Sequence, residues 1–176
     1  QHTCGLTSGG TAYCWGDNTH GAVGDGTRNQ RSTPTAVAGG LTFASLSARA
    51  HTCGLTAAGA AYCWGMNGEG QLGDGTSNDA TSPVAVQGGL AFASLAVGGL
   101  STCGLTPAGA AYCWGRNGEN ELGDGTTTQR SVPTAVAGGL VFASLMSGNE
   151  HSCSLTSAGA AYCWGENIDG PLGDGT

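Results

Sequence analysis

Eight cysteines are the residues of this chain best suited to chemistry, and they fall into four pairs that share one spacing. The members of each pair are ten residues apart, whereas zinc sites use cysteines two to four residues apart. This spacing therefore favours structural disulfides over a metal site or a free, nucleophilic thiol. The pairs are Cys4 and Cys14, Cys53 and Cys63, Cys103 and Cys113, and Cys153 and Cys163.

Histidines near the cysteines are a second possible source of metal ligands. His51 and His151 each stand two residues before a cysteine, but Ser101 takes that place in the third repeat although its cysteines remain. A zinc site would need the histidine wherever the cysteines are kept. We therefore interpret the histidines as hydrogen-bonding residues at the ends of strands, and we predict no metal site.

Aspartates in Gly-Asp-Gly loops suggest a different metal. Carboxylate and carbonyl oxygens in such loops suit calcium, yet the spacing is not that of an EF-hand or a nonapeptide repeat. An aspartate that accepts backbone hydrogen bonds within a turn explains the same pattern, and we favour this interpretation. The loop aspartates are Asp25, Asp74, Asp124 and Asp174.

No set of side chains in the sequence resembles a catalytic apparatus. Neither a Ser-His-Asp nor a Cys-His arrangement stands out, and the glycine-rich loops lack the Gly-Lys-Ser/Thr of a phosphate loop. An active site would interrupt the repetition, and the interruptions are scattered along the chain. We therefore predict a protein that is not an enzyme and needs no cofactor.

The elements that position the cysteines are predicted to be β-hairpins. Residues Thr56–Ala60 suit a three-residue loop, in which a type I turn is followed by a left-handed glycine. In the third repeat Pro107 takes the turn position that favours proline, and Gly109 follows two residues later. This turn fixes which residues of the two strands face one another.

The register predicted by the turn places Cys53 opposite Cys63, close enough for a disulfide. We therefore predict a disulfide within each of the four hairpins. Alternation along the strands puts the cysteines, Leu55 and Ala61 on one face of the sheet. Tyr62 and Trp64 lie on the other face, where we expect Tyr62 to cover the space left by Gly54.

The hairpins belong to a repeat of about fifty residues, with units at about 1–42, 43–91, 92–141 and 142–176 of a single domain. In the second unit we predict four short strands, because no helical periodicity is present. The predicted strands are Phe43–Leu46, His51–Thr56, Ala60–Trp64 and Pro83–Val86. Four-stranded units in tandem indicate an all-β protein, specifically a β-propeller.

The run from Tyr62 to Thr76, YCWGMNGEGQLGDGT, resembles the repeat of the regulator of chromosome condensation family. His-Thr and Leu-Thr precede this run, Pro-x-x-Val follows it, and the resemblance covers the whole chain. It implies a seven-bladed propeller that acts mostly as a protein-binding platform. The paired cysteines look like the version found in secreted or surface-attached bacterial proteins.

The chain departs from that family in having about three and a half repeats, half the usual number. Each terminal unit is expected to lack one strand, which would leave open sheet edges. Two interpretations remain: a portion of a longer propeller, or a chain that completes itself by self-association.

Charge and cysteine content restrict the partners and the compartment. The net charge of −7, with five arginines and no lysine, argues against nucleic acid and against anionic membrane surfaces. Paired cysteines indicate an oxidising compartment: extracellular, cell-surface or periplasmic. No apolar run approaches the length of a membrane span, so we predict no membrane insertion.

The positions at which the repeats differ are the candidate binding residues, because loops on a rigid scaffold commonly carry function. One set follows the first strand of each unit, a second follows the Trp-Gly pair, and a third lies in the long polar loop, at Arg28–Arg31, Ser77–Ala80 and Thr127–Arg130. We expect the residues that follow the first strand to reach one rim of the ring, giving a mixed charged and apolar surface. The candidates are Arg49, Leu100, Asn149, Glu150, Met66, Arg116 and Glu166.

Three functions are consistent with these features. The preferred one is a non-catalytic, extracellular scaffold that binds a protein partner with its rim loops. The second is a structural protein that builds a fibre or coat by pairing the edge strands of its incomplete blades. A glycan- or calcium-binding module is the third and weakest, because the tryptophans are expected in the core.

Overall fold

The computed structural model describes residues 1–175, which form fourteen β-strands and no helix. Accordingly, these residues contain no helix able to cross a membrane. The strands in chain order are β1 His2–Leu6, β2 Ala12–Gly16, β3 Arg31–Ala36, β4 Ser45–Ala48, β5 His51–Leu55, β6 Ala61–Gly65, β7 Ala80–Ala85, β8 Ser94–Val97, β9 Ser101–Leu105, β10 Ala111–Gly115, β11 Arg130–Ala135, β12 Ser144–Ser147, β13 His151–Leu155 and β14 Ala161–Gly165.

The strands form four antiparallel sheets, which we call blades 1 to 4. Blade 1 is β1-β2-β3, blade 2 is β4-β5-β6-β7, blade 3 is β8-β9-β10-β11 and blade 4 is β12-β13-β14. Strand β8 contacts both β4 and β12, and these three strands form the inner edge of the arc. The all-β propeller architecture predicted from the sequence is therefore confirmed.

The hairpin turn has the hydrogen bonds expected of its sequence. In blade 2 the Thr56 N–H donates to the Ala60 carbonyl (3.0 Å), and the Gly59 N–H donates to the Thr56 carbonyl (2.9 Å). Gly59 has φ of 82°, in the left-handed region that glycine enters without strain. Gly109, which follows Pro107 in blade 3, has the same φ of 82°.

This turn sets the register that closes the disulfides. Cys53 lies directly opposite Cys63, and the three other pairs are opposed in the same way. Each disulfide joins cysteines whose Cα atoms are 4.1 Å apart. The disulfides are Cys4–Cys14, Cys53–Cys63, Cys103–Cys113 and Cys153–Cys163.

The inner and outer strands differ from the sequence prediction. The inner strand begins at Ser45, whereas Phe43, the first residue of the predicted strand, lies before it and is buried. The outer strand begins at Ala80, so Pro83 lies within it rather than at its start. Proline is tolerated there because β7 is at the sheet edge and its pairing with β6 is bulged between Cys63 and Gly65.

The blades stack with a constant direction: the disulfide face of one blade packs against the aromatic face of the next. Leu55 and Ala61 of blade 2 form one buried cluster with Phe92 and Trp114 of blade 3. The same faces meet at the other two junctions, between blades 1 and 2 and between blades 3 and 4. Small residues on the disulfide face allow the large rings of the next blade to approach closely.

Phe43, rather than Tyr62, covers Gly54, which corrects the sequence prediction. A Cβ atom at Gly54 would lie 2.5 Å from Phe43 Cδ1, so the ring needs the glycine. Tyr62 instead packs edge-on against that ring, with centroids 6.4 Å apart. Ser154 takes the glycine's place in blade 4, and its buried hydroxyl has no hydrogen-bond partner among the described residues.

A polar contact fixes the junction between blades 1 and 2. The Ala22 carbonyl accepts hydrogen bonds from Thr52 Oγ1 (3.1 Å) and Trp64 Nε1 (3.0 Å). Because the Thr52 hydroxyl proton points at this carbonyl, its oxygen accepts from His2 Nε2, 2.6 Å away. We call this set of hydrogen bonds the carbonyl clasp.

The carbonyl clasp is repeated between blades 2 and 3. There the Gln71 carbonyl accepts from Thr102 Oγ1 (2.8 Å) and Trp114 Nε1 (2.9 Å), and His51 Nε2 lies 2.6 Å from Thr102 Oγ1. The expectation that the repeated histidines are hydrogen-bonding residues at strand ends is confirmed for His51. The partner on the next blade was not foreseen.

The junction between blades 3 and 4 has lost the clasp. Ser101 replaces the histidine and Ser152 replaces the threonine. Ser152 Oγ instead lies 3.0 Å from Ser147 Oγ and 3.6 Å from Cys103 Sγ. Trp164 Nε1 has no hydrogen-bond partner among residues 1–175. This junction therefore lacks the polar contact that the other two share.

Candidate functional site

The positions at which the repeats differ lie at one end of the blades, which we call the variable rim. Because neighbouring strands are antiparallel, the turn after each inner strand and the long loop after each Trp-Gly pair reach the same end. The variable rim comprises residues 17–30, 49–50, 66–79, 98–100, 116–129, 148–150 and 166–175. The opposite rim carries the nearly invariant hairpin turns.

A buried asparagine holds each long loop of blades 1 to 3 in place. Asn67 Nδ2 donates to the Asn78 carbonyl (3.0 Å) and to Asp74 Oδ1 (3.2 Å). Its Oδ1 accepts from the Leu72 N–H (2.9 Å), so one side chain replaces several missing backbone partners. Asn18 and Asn117 do the same in blades 1 and 3.

The Gly-Asp-Gly aspartates form turns within these loops. Asp124 Oδ1 accepts hydrogen bonds from the N–H (2.9 Å) and hydroxyl (2.7 Å) of Thr126, and Oδ2 pairs with Arg130 (2.9 Å). Burial raises the pKa of Asp124, but hydrogen bonds from Thr126, Arg130 and Asn117 outweigh it and lower the pKa to about 2. Asp124 therefore stays ionised at any physiological pH and rigidifies the loop.

Two of the predicted site residues, Arg49 and Met66, lie together between blades 1 and 2. They line an open cleft of about 370 Å³ with Asp17 and His20. Arg49 is exposed and Met66 is half-buried. The cleft therefore combines a positive charge with an apolar, adaptable side chain.

Three further predicted residues, Arg116, Glu150 and Glu166, lie together between blades 3 and 4. Arg116 Nη1 is 2.9 Å from Glu150 Oε1, and Arg116 Nε is 3.1 Å from Oε1 of the buried Glu121. The Glu166 N–H donates to the Glu150 carbonyl (2.9 Å). Desolvation and the Glu150 carboxylate raise the pKa of Glu166. This part of the rim is negatively charged around one arginine.

Leu100 and Asn149, the remaining predicted residues, are held on the rim by their backbones. The Leu100 carbonyl accepts from the Arg116 N–H (3.0 Å), and the Asn149 carbonyl accepts from the Gly99 N–H (3.0 Å). The Asn149 side chain is exposed and that of Leu100 is half-buried. The structure thus places all seven predicted binding residues on the variable rim.

Arg49 differs from the other four arginines in having no ion-pair partner among residues 1–175. Each of the others pairs with at least one carboxylate of the chain: Arg28 with Asp79, Arg31 with Asp25, Arg116 with Glu121 and Glu150, and Arg130 with Asp124. In a chain of net charge −7, Arg49 is therefore a positive charge that remains available to another molecule.

His20 and Asp79, which were not among the residues predicted from the sequence, join blades 1 and 2 at the rim. His20 Nδ1 lies 2.8 Å from Asp79 Oδ2, and Arg28 Nη1 lies 3.3 Å from the same oxygen. Asp79 Oδ1 accepts from the Asn67 N–H (2.9 Å). A signal was present: His20 stands where Glu69 and its equivalents stand in the other repeats.

Charged side chains, rather than metal ligands, characterise the described part of the rim. Within residues 1–175 no three histidine, cysteine, aspartate or glutamate side chains cluster as metal ligands would. All eight cysteines are in disulfides. What the rim does offer is two clusters of charged side chains, one with Arg49 and Asp17 and one around Arg116, on a backbone fixed by buried side chains.

Family models recognise the repeats. Residues 58–105 and 108–155, more than half of the chain, match the model of the regulator of chromosome condensation (RCC1) repeat. Residues 1–22 and 143–170 match a second model of the same repeat. A comparison with curated protein sequences gave no match.

Solved structures with the same fold include human WBSCR16, with a TM-score of 0.90 and 27% identity over 99% of this chain and 48% of that one. Prp20p from Saccharomyces cerevisiae matches with a TM-score of 0.86 and 22% identity over 99% and 45%. The ectodomain of the Physcomitrella patens receptor kinase CR4 matches with a TM-score of 0.60 and 28% identity over 94% and 36%. The chain thus spans about half, or less, of the length of these structures.

Proposed function

Because the chain belongs to the regulator of chromosome condensation repeat family, we propose that it is a non-catalytic propeller scaffold that binds a protein partner with its variable rim. The observation that carries this proposal is the convergence of the differing residues on one rim, above a framework of nearly identical blades. Diversity confined to one end of a rigid scaffold is the usual arrangement of a binding surface.

The cleft lined by Arg49 and Met66 is the proposed centre of the binding surface. Arginine and methionine are enriched at protein interfaces, and an arginine without a partner can form a charge-assisted hydrogen bond to a carboxylate. The cluster of Arg116, Glu150 and Glu166 is negative and would attract a basic group instead. We therefore propose a partner that presents an acidic group to blades 1 and 2 and a basic group to blades 3 and 4.

The relatives and the charge support a protein as the partner. The published description of Prp20p names binding to Gsp1p and histones, and a structure of yeast RCC1 has been solved with Kap60 bound. A net charge of −7 disfavours nucleic acid, whose phosphates repel carboxylates. Binding through direct contacts at the rim, without catalysis, is the function that this surface supports best.

Four disulfides support an oxidising compartment as the site of action. Disulfides persist in secreted, periplasmic and cell-surface proteins and are rare where glutathione keeps thiols reduced. We propose that the partner is met in such a compartment, outside the cytoplasm.

A rim variant tests the proposal. The partner is first isolated by cross-linking from the extracellular fraction of the source and purified. Its affinity is then measured by calorimetry for the wild type and for a variant carrying Arg49→Ala and Met66→Ala. The matched control carries Val141→Ala and Ser157→Ala, two exposed positions on the opposite rim. Hot-spot residues cost about 1–4 kcal/mol on truncation, so we expect the rim variant to bind at least tenfold more weakly.

Folding of both variants is checked by thermal unfolding before binding is compared. Equal affinity of the rim variant and the wild type would refute the proposed site. A loss in the opposite-rim control as large as that in the rim variant would move the binding surface to the other end of the blades.

A further inference from the structure

His20 and Arg28 of blade 1 form a pair of basic side chains on the rim, and one carboxylate of blade 2 holds them both. His20 Nδ1 lies 2.8 Å from Asp79 Oδ2, and Arg28 Nη1 lies 3.3 Å from the same oxygen. The imidazole and the guanidinium are therefore neighbours. The His20 side chain is 43% exposed and that of Arg28 is 53% exposed, whereas that of Asp79 is 19% exposed. The two basic side chains, unlike the carboxylate that holds them, are accessible to another molecule.

Asp79 is itself fixed in position and ionised. Its Oδ1 accepts a hydrogen bond from the Asn67 N–H (2.9 Å). Burial raises the pKa of Asp79, but hydrogen bonds from His20 and Asn67, together with the charges of His20 and Arg28, outweigh burial and lower the pKa. An ionised carboxylate only accepts hydrogen bonds, so His20 Nδ1 carries the proton of this contact. Asp79 thereby fixes the tautomer of His20.

The remaining nitrogen atoms of the pair have no hydrogen-bond partner among residues 1–175. The His20 ring uses only Nδ1, which leaves Nε2 free. Arg28 uses only Nη1, which contacts Asp79 and the Thr19 carbonyl (2.9 Å), so its Nε and Nη2 are free. The N–H groups of Nε and Nη2 are parallel, and this edge of a guanidinium binds both oxygens of a carboxylate.

The position of His20 makes blade 1 an exception among the repeats. The other three repeats carry an acidic residue at this position: Glu69, Glu119 and Asp169. A basic residue therefore replaces an acidic one at this point of the rim in blade 1 alone. In a chain of net charge −7, a local basic site favours an anionic group of another molecule.

We propose that His20 and Arg28 bind a carboxylate of the protein partner and that protonation of His20 tightens this contact as the pH falls. The inference rests on the proposed function, because it assigns the acidic group of the partner to particular side chains of blade 1. Arg28 provides two parallel N–H groups, and the protonated ring of His20 adds Nε2–H as a third donor. When His20 is neutral, Nε2 is an acceptor and contributes no hydrogen bond to a carboxylate. The two residues therefore recognise the acidic group and make the affinity depend on pH.

The other charged or titratable groups that line this cleft are Asp17, Arg49, His2 and the amino group of Gln1. Arg49 adds a positive charge at every physiological pH. The Gln1 amino group lies 3.7 Å from Asp17 Oδ2. Burial lowers the pKa of His2, so its ring takes up a proton at a lower pH than an exposed histidine does. His20 is thus the exposed imidazole of the cleft, and substituting it isolates its contribution.

Calorimetry with the purified partner tests the site at about pH 7.5 and about pH 6, a range over which a histidine gains its charge. The wild-type chain is expected to bind about threefold more tightly at the lower pH, as one contact between exposed charges allows. His20→Gln removes the titrating ring and is expected to lose this gain. Glu119→Gln, at the equivalent position of blade 3, is the matched control and keeps the wild-type gain. The partner is the same throughout, so its own titration affects every variant equally.

Arg28→Lys tests the geometry of the contact. Lysine keeps the positive charge but lacks two parallel N–H groups, so the variant is expected to bind about threefold more weakly at both pH values. Treatment of the partner with phosphatase is expected to leave its affinity unchanged. Nitrogen-15 NMR of the free chain at about pH 7.5 is expected to show the proton of His20 on Nδ1. Thermal unfolding confirms that each variant is folded.

An equal gain in the wild type and His20→Gln would overturn the inference, and so would full affinity in Arg28→Lys. Loss of binding after phosphatase treatment would show that the anionic group is a phosphate and not a carboxylate. The variant with Arg49→Ala and Met66→Ala separates these failures from a failure of the proposed function. Where that variant binds weakly but His20→Gln keeps the gain, the rim binds the partner without the assigned contact. Full affinity in that variant would refute both.

Discussion

His51 makes the stability of the protein dependent on pH, because its hydrogen bonds fix the tautomer of the buried ring. The Thr102 hydroxyl donates to the Gln71 carbonyl, so Thr102 Oγ1 must accept its hydrogen bond from His51 Nε2. The neutral tautomer therefore carries its proton on Nε2. The other ring nitrogen, Nδ1, is buried without a hydrogen-bond partner among the described residues. Protonation of Nδ1 would place an unsatisfied charge in the junction between blades 2 and 3.

Burial accordingly lowers the pKa of His51 to about 3, with a smaller contribution from the neighbouring His2. In the unfolded chain the pKa of the imidazole is near 6.5. Below that pH the unfolded state therefore binds a proton at His51 that the folded state does not bind. Stability is therefore fully present above about pH 7 and is lost progressively as the pH falls towards 3. Between about pH 8 and pH 5, linkage gives a loss of about 2 kcal/mol in the free energy of unfolding.

Urea denaturation of the unreduced protein at about pH 8, 6.5 and 5 measures this loss. His51→Gln keeps an N–H donor near Thr102 and removes the titrating ring, so it is expected to abolish most of the pH dependence. His2, whose pKa is also lowered by burial, accounts for what remains. His151→Gln, the same substitution at the same position of another repeat, is the matched control. An equal slope in His51→Gln and the wild type would refute the assigned tautomer and its energetic role.

Three further predictions concern the core. Gly54→Ala forces Phe43 to move and is expected to lower the free energy of unfolding, measured by urea denaturation, by about 1–3 kcal/mol. Gly5→Ala is the control, because a Cβ there meets nothing within 4 Å, and its free energy of unfolding is expected to stay within about 0.5 kcal/mol of the wild type. Equal losses in the two variants would contradict the assigned packing. Trp64→Phe loses a buried hydrogen bond, whereas the indole N–H of Trp164 has no partner among the described residues. Trp64→Phe is therefore expected to lower the free energy of unfolding by about 1 kcal/mol more than Trp164→Phe does. Urea denaturation of the wild type and both variants checks this, and equal losses would contradict it. Reduction of the four disulfides is expected to lower the melting temperature sharply, because each disulfide stabilises the folded state by very roughly 2–3 kcal/mol. An unchanged melting temperature in strong thiol reductant would contradict this.

The hairpins were predictable because their determinants are local. The turn of residues 56–60 needs only a left-handed glycine three residues after Thr56, and it fixes the register for every opposed pair behind it. Cys53 and Cys63 therefore follow from turn chemistry alone. Placement of the rim residues was equally accessible, because antiparallel strands return the differing loops to the same end.

Contacts between blades were not predictable from one unit. The position of Phe43 over Gly54 depends on where the inner strand begins, and that strand is set by pairing across the sheet rather than by its own apolar residues. Tyr62 was an equally reasonable candidate because it shares the face of Gly54 and lies directly opposite it. The contact of His20 with Asp79 joins residues of two repeats, so no pattern within one repeat contains it.

The carbonyl clasp explains why the repeats are so uniform in their strands and so free at the rim. Two of the three junctions use a histidine, a threonine and a tryptophan from defined strand positions together with a loop carbonyl, which is a backbone group. Ala22 and Gln71 accordingly serve the same role with unlike side chains. The clasp thus constrains the strands and the loop backbone, but not the side chain of the residue that supplies the carbonyl. The side chains of the rim can vary without disturbing the arc, which is the property that a binding scaffold requires.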